Sequence, residues 1–229
     1  HLAGHSCRGR PATRALACRR LTATHSLVLV CISRATTAAA TTRHRHLMPP
    51  APTLVLRDFA QTDLPAVALA MGDPQVTRYY GLETTHTNAR AIAQEQLDWY
   101  RTLARDQEGW WQAVVHEGGL IGAVGVYDYD DEADSADLGF WLSPAYWGGG
   151  RMRAALRQWL PSAFARLQLH SIVAYVEPDN TASQRLLVAC GFQHEGLLRE
   201  CSKRPQGYVS LHRYSLLSHE LAPIRVGKG

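Results

Sequence analysis

A glycine-rich segment followed by arginines is the clearest candidate for chemistry in this sequence. The segment WGGGRMR (147–153) lies between a run typical of a strand and a run with helical periodicity. Consecutive glycines let backbone N–H groups approach an anion, and a helix start adds unpaired N–H groups and the positive end of the dipole. Arg151 and Arg153 fall in the first turn, where cations disfavour an isolated helix, so an anionic ligand would account for them. A flexible loop with two solvated arginines is the alternative. The glycine spacing matches neither the dinucleotide-binding pattern nor the Walker loop.

A polar motif at the start of a short predicted helix is the second feature. The segment NTASQRLLVACG (180–191) places Asn180 at the helix start, Ser183 in the first turn and Gly191 at the C-terminal stop. Helix capping alone accounts for Asn180 and Ser183 in these positions.

Hydrophobic periodicity predicts the elements that position these segments. Alternating or continuous apolar runs predict strands at 53–59, 110–116, 120–129, 136–143, 171–177, 192–203 and 207–219. Apolar residues at helical spacing predict helices at 61–71, 88–104, 151–167 and 180–191. Pro161 lies inside the third helix and predicts a kink or break near Arg157. This order predicts an α/β fold with a mixed, mostly antiparallel central sheet flanked by helices.

The first 47 residues differ in composition from the rest of the chain. They hold eight arginines and no acidic residue, whereas from Met48 onward 16 Lys and Arg are outnumbered by 20 Asp and Glu. An extension that is not part of the native fold, a transit-type peptide and a basic arm for an acidic partner all fit this composition. We expect a single domain over 48–222 and a short tail over 223–229.

Composition also excludes several classes of protein. No apolar run approaches the length of a membrane span, and the mildly acidic domain argues against a nucleic-acid scaffold. The five cysteines show neither zinc-ligand spacing nor a disulfide framework. We therefore expect reduced thiols, a cytoplasmic location, and no metal, membrane or nucleic-acid partner.

The two motifs together resemble the GNAT superfamily of N-acetyltransferases, within it the RimJ/RimL-like branch. The resemblance rests on LGFWLSPAYWGGGRMRAALRQWL followed by VEPDNTASQRLLVACGFQHEG and extends over about residues 53–220. It implies a GNAT-like acyl-CoA N-acyltransferase fold, with a glycine loop that cradles the pyrophosphate of acetyl-CoA. Trp147 takes the first position of the loop consensus, Gly150 the fourth and Met152 the sixth, where the family commonly has a small residue.

The resemblance also implies roles for individual residues. The cofactor-binding residues are Phe140, Trp141, Leu142, Trp147, Gly148, Gly149, Gly150, Arg151, Met152, Arg153, Asn180 and Ser183. A β-bulge at 140–142 is expected to splay this strand from the next one and to admit the pantetheine arm, and the N–H of Leu142 could hold the developing oxyanion. Ser183 could donate to the departing sulfur. Asp137 is the candidate base, and a strand-edge carboxylate without a catalytic role is the alternative.

The implied activity is transfer of an acetyl group from acetyl-CoA to a primary amine, by direct attack in a ternary complex of a monomer or homodimer. The acceptor is expected to be a protein N-terminal α-amine, and a small amine such as an aminoglycoside or polyamine is the alternative. A non-catalytic acyl-CoA-binding module and a ribosome-associated factor acting through residues 1–47 are other classes. The loops at 79–87 and 204–207 are expected to contact the acceptor. The acidic run 128–137 is either a solvated hairpin turn or an attractant for a cationic amine.

Overall fold

One seven-stranded sheet connects the elements that position the two motifs. The computed structural model describes residues 54–79, 88–204 and 207–221. Within them, seven strands pair in the spatial order β1-β2-β3-β4-β5-β7-β6. The strands are β1 (Leu54–Arg57), β2 (Trp110–His116), β3 (Gly119–Asp130), β4 (Ser135–Leu142), β5 (Ser171–Val176), β6 (Gln193–Arg204) and β7 (Gly207–Leu217). β4 and β5 run parallel, whereas every other neighbouring pair is antiparallel.

Helices cover both faces of this sheet, which confirms the predicted fold class. They are α1 (Leu64–Met71), α2 (Pro74–Thr77), α3 (Ala89–Asp106), α4 (Arg151–Leu167) and α5 (Thr181–Ala189). Helix α2 was not predicted, because four residues are too few to show a helical period. The Asp73-Pro74 pair is the sequence feature that indicates this helix. The Asp73 carboxylate accepts the N–H of Gln75 at 2.8 Å, and Pro74 begins the helix.

The alternation of β-strand side chains divides the interior into two apolar layers. Trp110 points towards α4 and stacks on Trp159 with ring centroids 5.4 Å apart. Its neighbour Trp111 points the other way, towards α3, and stacks on Tyr100 at 4.6 Å. Both layers are therefore anchored by aromatic side chains from the same strand, since successive residues of a strand face opposite sides.

Helix α4 runs without interruption through Pro161, so the predicted break near Arg157 is wrong. Proline removes one backbone hydrogen bond from a helix interior. The flanking Leu160 and Phe164 are buried against the sheet, and their packing holds both halves of the helix in place.

Two predicted segments, the extension over 1–47 and the tail over 223–229, lie outside the residues that the structure describes. In the part of the chain that the structure describes, no helix combines the length and the apolar character that crossing a bilayer requires.

We expect Gly125→Ala to lower the free energy of unfolding by about 2–3 kcal/mol, because overpacking a filled core forces side chains out of place. Gly125 lies opposite Trp111 across the β2–β3 pair, and a Cβ there would stand 2.2 Å from the indole ring. Urea unfolding monitored by tryptophan fluorescence measures the change. Gly119→Ala is the matched control, since its Cβ would meet only ordinary contacts, the nearest at 3.7 Å. Equal stabilities of the two variants would contradict this packing.

Candidate active site

The pairing between β4 and β5 ends after three residues, and this opens the sheet at its centre. Ser135, Ala136 and Asp137 pair with residues 171–173. Beyond that point β4 continues to Leu142 and β5 to Val176 with no ladder between them. The result is a V-shaped gap with Asp137 at its vertex, as the expected separation of the two strands requires.

The predicted β-bulge at 140–142 is wrong. The register between β3 and β4 is regular from Gly122 opposite Leu142 to Tyr127 opposite Asp137. It shifts only between Tyr127 and Asp130, near the hairpin turn. The gap therefore arises from divergence of two parallel strands and not from a distortion of β4.

One backbone edge of β4 faces the gap. The N–H of Ser143 donates to the carbonyl of Ile121 at 2.8 Å. Every second residue of β4, counted back from Ser143, therefore directs its backbone groups towards β3. Because an antiparallel ladder alternates, the N–H of Leu142 points away from β3 and into the gap. An extended polar ligand can pair with such an edge as an added strand would.

The glycine-rich segment closes the mouth of the gap. The indole N–H of Trp147 donates to the Leu142 carbonyl at 2.6 Å and folds the segment back onto the end of β4. Gly148 and Gly150 have φ of 92° and 72°, values that favour glycine over other residues, and the N–H of Gly150 bonds to the Gly148 carbonyl. These two conformations explain why glycine occupies both positions.

The start of α4 is open to a ligand. Gly150 is the N-cap and supplies no side chain, and the N–H of Ala154 makes the first helical bond, to the Gly150 carbonyl at 3.0 Å. The N–H groups of residues 151–153 precede that bond, so an anion at this position would satisfy them.

Arg151 fits the same interpretation. A Cβ on Gly149 would lie 2.8 Å from Nη1 of Arg151, so the guanidinium rests directly on the loop backbone. The guanidinium also lies 5.8 Å from the ring centroid of Tyr146. Among the described residues, Nε of Arg151 is buried with no hydrogen-bond partner. A bare backbone loop beside an unsatisfied guanidinium fits a phosphate group.

A cleft of about 460 Å³ joins the glycine loop to α5. The structure brings the following residues to its wall: Leu142, Tyr146, Gly148, Gly150, Arg151, Met152, Arg153, Ala182, Arg185, Leu186 and Ala189. Arg185 was not among the predicted site residues, and it adds a third cation to those of Arg151 and Arg153. The sequence could have indicated Arg185, because it shares one face of α5 with Ala182 and Ala189 at helical spacing.

Other predicted cofactor residues lie around this cleft and not on its wall. Phe140 and Trp141 are fully buried on opposite faces of β4. The indole N–H of Trp141 donates to the Tyr100 hydroxyl at 3.3 Å, so this side chain belongs to the packing against α3. Only the backbone of these two residues can reach a ligand in the gap.

The polar motif caps α5, as its residue types predict. Asn180 and Ser183 are both buried, and the Asn180 carboxamide oxygen accepts the N–H of Ser183 at 3.3 Å. The motif follows the end of β5, so it stands on the opposite side of the gap from the glycine loop.

Asp137 is the titratable group at the vertex. Burial and, to a smaller extent, the Asp128 carboxylate raise the pKa of its carboxyl to about 7, and Arg213 opposes the rise. The carboxyl is therefore close to half-ionised at neutral pH and can take or release a proton there. Arg213, which was not among the predicted site residues, also pairs with Glu195 at 2.5 Å.

The acidic run at 128–137 is mostly a solvated turn. Residues 131–134 form the exposed β3–β4 connection, which confirms one of the two alternatives for this run. Of the predicted acceptor loops, 80–87 and 205–206 lie outside the described residues.

Comparisons with known proteins agree with this geometry. A sequence profile described as "Acetyltransferase (GNAT) domain" matches residues 53–193. The chain is 32% identical over 171 residues to the uncharacterized N-acetyltransferase p20 of Bacillus licheniformis, which covers 74% of this chain and 95% of that protein.

Two solved structures share the fold. Mycobacterium smegmatis RimJ in complex with CoA-disulfide superposes with a TM-score of 0.67 and 24% identity over 76% of this chain and 86% of that one. Spermidine N-acetyltransferase from Vibrio cholerae in complex with CoA and spermine superposes with a TM-score of 0.63 and 24% identity over 73% and 97% of the two chains.

We expect Asp137→Asn to stabilise the protein at pH 8 relative to wild type and to lose this advantage at pH 4. The folded protein keeps the Asp137 proton up to about pH 7, whereas an unfolded aspartate releases it near pH 4. Wild-type stability therefore falls as pH rises between these values, by on the order of 2–4 kcal/mol from this group.

Urea unfolding of both proteins across this range measures the difference. The exposed Asp131→Asn in the neighbouring turn removes the same charge and serves as the control. A pH-independent difference between Asp137→Asn and wild type would show that the carboxyl at the vertex does not titrate in this way.

Proposed function

Because this chain belongs to the GNAT acetyltransferase family, we propose that it transfers the acetyl group of acetyl-CoA to a primary amine, with a protein N-terminal α-amine as the acceptor. The observation that carries the proposal is the glycine cradle at the mouth of a gap whose vertex holds a carboxyl group with a pKa of about 7. The mouth of this gap, at the glycine loop, fits a diphosphate, and the carboxyl group at its vertex is suited to accept a proton.

The residues around the gap fit acetyl-CoA in three places. The N–H groups of residues 151–153 and the guanidinium of Arg151 would hold the pyrophosphate, and Arg153 and Arg185 add positive charge to the same cleft. The free edge of β4 up to Leu142 would pair with the amides of the pantetheine arm. Asn180 and Ser183 border the gap from the side of α5.

Acetyl-CoA supplies an activated acetyl group: the acceptor nitrogen forms a C–N bond to the acetyl carbon, the C–S bond breaks, and coenzyme A leaves as the thiol. In our proposal Asp137 accepts the proton that the amine loses. Ser183 donates a hydrogen bond to the departing sulfur, and the proton that completes the thiol comes from solvent through the open gap. The N–H of Leu142 faces the gap and stabilises negative charge on the acetyl oxygen. Holding both reactants in one gap supplies much of the acceleration, since it replaces a bimolecular encounter.

The pKa of Asp137 favours an α-amine as the acetyl acceptor. An α-amine has a pKa near 8, so a base with a pKa of about 7 is well matched to it. The shared fold with RimL, a ribosomal L7/L12 alpha-N-protein acetyltransferase, supports a protein acceptor. The shared fold with spermidine N-acetyltransferase supports the alternative of a small amine. A non-catalytic acyl-CoA-binding module would bind the cofactor and release no thiol.

We expect Gly150→Val to weaken acetyl-CoA binding at least tenfold, because a β-branched residue distorts the left-handed turn that presents the loop backbone. Isothermal titration calorimetry measures the dissociation constant. Gly118→Val is the matched control: Gly118 has φ of 79° in the β2–β3 turn and open space around it, so the strain is similar and the site is distant. Equal weakening by both variants, or no heat with the wild type, would refute a cofactor cradle at this loop.

We expect Asp137→Asn to lower kcat/KM by about 100-fold at pH 8, the scale of a lost general base. Wild-type kcat/KM should rise with pH through a limb near 7, because Asp137 must be ionised to accept a proton, and the variant should lack this limb. Thiol release from acetyl-CoA over a panel of tetrapeptide amides and polyamines measures the rates. A variant that keeps the wild-type profile would assign the base elsewhere, and a wild type that binds acetyl-CoA but releases no thiol would favour the binding module.

A further inference from the structure

Arg204 is a buried guanidinium that its surroundings do not satisfy. It is the last residue of β6, and its side chain is only 8% exposed. Among the described residues, Nη2 has no hydrogen-bond partner, and the nearest opposite charge is Oε1 of Glu177 at 3.6 Å, beyond hydrogen-bond distance. Burying such a donor without an acceptor costs free energy, so an unfilled position of this kind points to a missing partner.

The ion pair with Glu177 places Arg204 near the end of the β5 arm of the gap. Glu177 directly follows Val176, the last residue of β5 and the end of one arm of the gap. The other arm starts at Asp137, which pairs with Tyr127 across β3 and β4. Burial raises the pKa of Tyr127 most, the charge of Asp137 adds to the rise, and the charge of Arg204 opposes it. The charges of Asp137 and Arg204 therefore both lie near the same buried hydroxyl.

We propose that Arg204 is a specificity-determining residue, whose Nη2 donates a hydrogen bond to the amide carbonyl oxygen next to the reacting amine of the acceptor. This inference rests on the proposed function and deepens it. It requires an acceptor that carries a carbonyl one bond beyond the carbon bearing the amine, as the first residue of a peptide does. A polyamine offers no oxygen at that position and would bring a second cation towards the guanidinium, which is unfavourable in a buried site.

The local charges favour a neutral carbonyl over a carboxylate. Glu177 lies 3.6 Å from Arg204 and already balances its charge. The other cation near Glu177, Arg78, is itself paired with Asp179 at 2.6 Å. What Arg204 lacks is therefore a hydrogen-bond acceptor, not a counter-charge. If the carbonyl oxygen of the substrate bonds to Arg204, the amine of the same substrate remains free to bind at the Asp137 carboxyl group at the vertex.

A double-mutant cycle between the enzyme and its acceptor tests this inference. The probes are the best tetrapeptide amide of an XAAA series and its (E)-alkene isostere, in which –CH=CH– replaces the first amide. We expect Arg204→Met to lower kcat/KM at least 30-fold with the peptide, mainly through KM, and less than threefold with the isostere. With wild type, the isostere should itself be at least 30-fold poorer than the peptide. The dissociation constant of acetyl-CoA should not change.

Two further variants separate recognition from structure. Arg204→Lys keeps the charge and N–H donors but not the planar guanidinium geometry, so it should recover part of the peptide activity. Arg105→Met removes an exposed arginine paired with Asp106 and should change nothing. If Arg204→Met does not fold, the activity of Arg204→Lys and the wild-type comparison of peptide with isostere still test whether the carbonyl is recognised.

Four outcomes would overturn the inference. Equal losses with peptide and isostere would mean that Arg204 only maintains the structure. Faster turnover of spermidine than of every peptide would show that no carbonyl is required. Acetyl-CoA binding without turnover of any amine would remove the proposed function and the inference together, whereas turnover that is indifferent to Arg204 would remove the inference alone.

Discussion

The short parallel ladder between β4 and β5 is the constraint on which the rest of this structure depends. Parallel strands at the centre of a sheet normally pair along their length, since each unpaired backbone group in an interior is costly. Here the pairing stops at Asp137, and each strand is held on its far side by an antiparallel neighbour. Those two outer ladders keep the gap open without any distortion of β4. The free backbone edge that results is a binding surface built from main-chain atoms.

Each end of the gap has its own electrostatic character. The mouth combines a helix start with the guanidinium groups of Arg151, Arg153 and Arg185, and it suits a diphosphate. The vertex lies among acidic and aromatic groups, where burial keeps the Asp137 carboxyl partly protonated at neutral pH. A substrate that is anionic at one end and reacts with an amine at the other is oriented by this difference alone. The sheet thus positions the reactants, and few side chains have to take part in the chemistry.

Much of the polar packing around the gap has a structural role as well as a proposed functional one. Asn180 caps α5, Trp147 ties the glycine loop to β4, and Trp141 bonds to Tyr100. These bonds fix the backbone that a ligand would contact, which is what pre-organisation of a site requires. Arg204 differs from them, because its Nη2 lacks such a partner among the described residues. That contrast, and not its charge, distinguishes it from the arginines on the surface.

The sequence by itself determined the order of the seven strands and the four longer helices, the glycine loop and the cap of α5, because each of these depends on residues close together in the chain. The periods of strands and helices, the left-handed turn at Gly150 and the Asn180 cap are local properties. Only the tertiary structure decided how the gap opens, the pKa of Asp137 and the neighbours of Arg204. These depend on strand pairing and burial between segments up to about 100 residues apart, such as Arg78 and Asp179. No local pattern encodes such distances, so the predicted bulge at 140–142 and the predicted break at Pro161 were wrong, whereas the elements that contain them were correct.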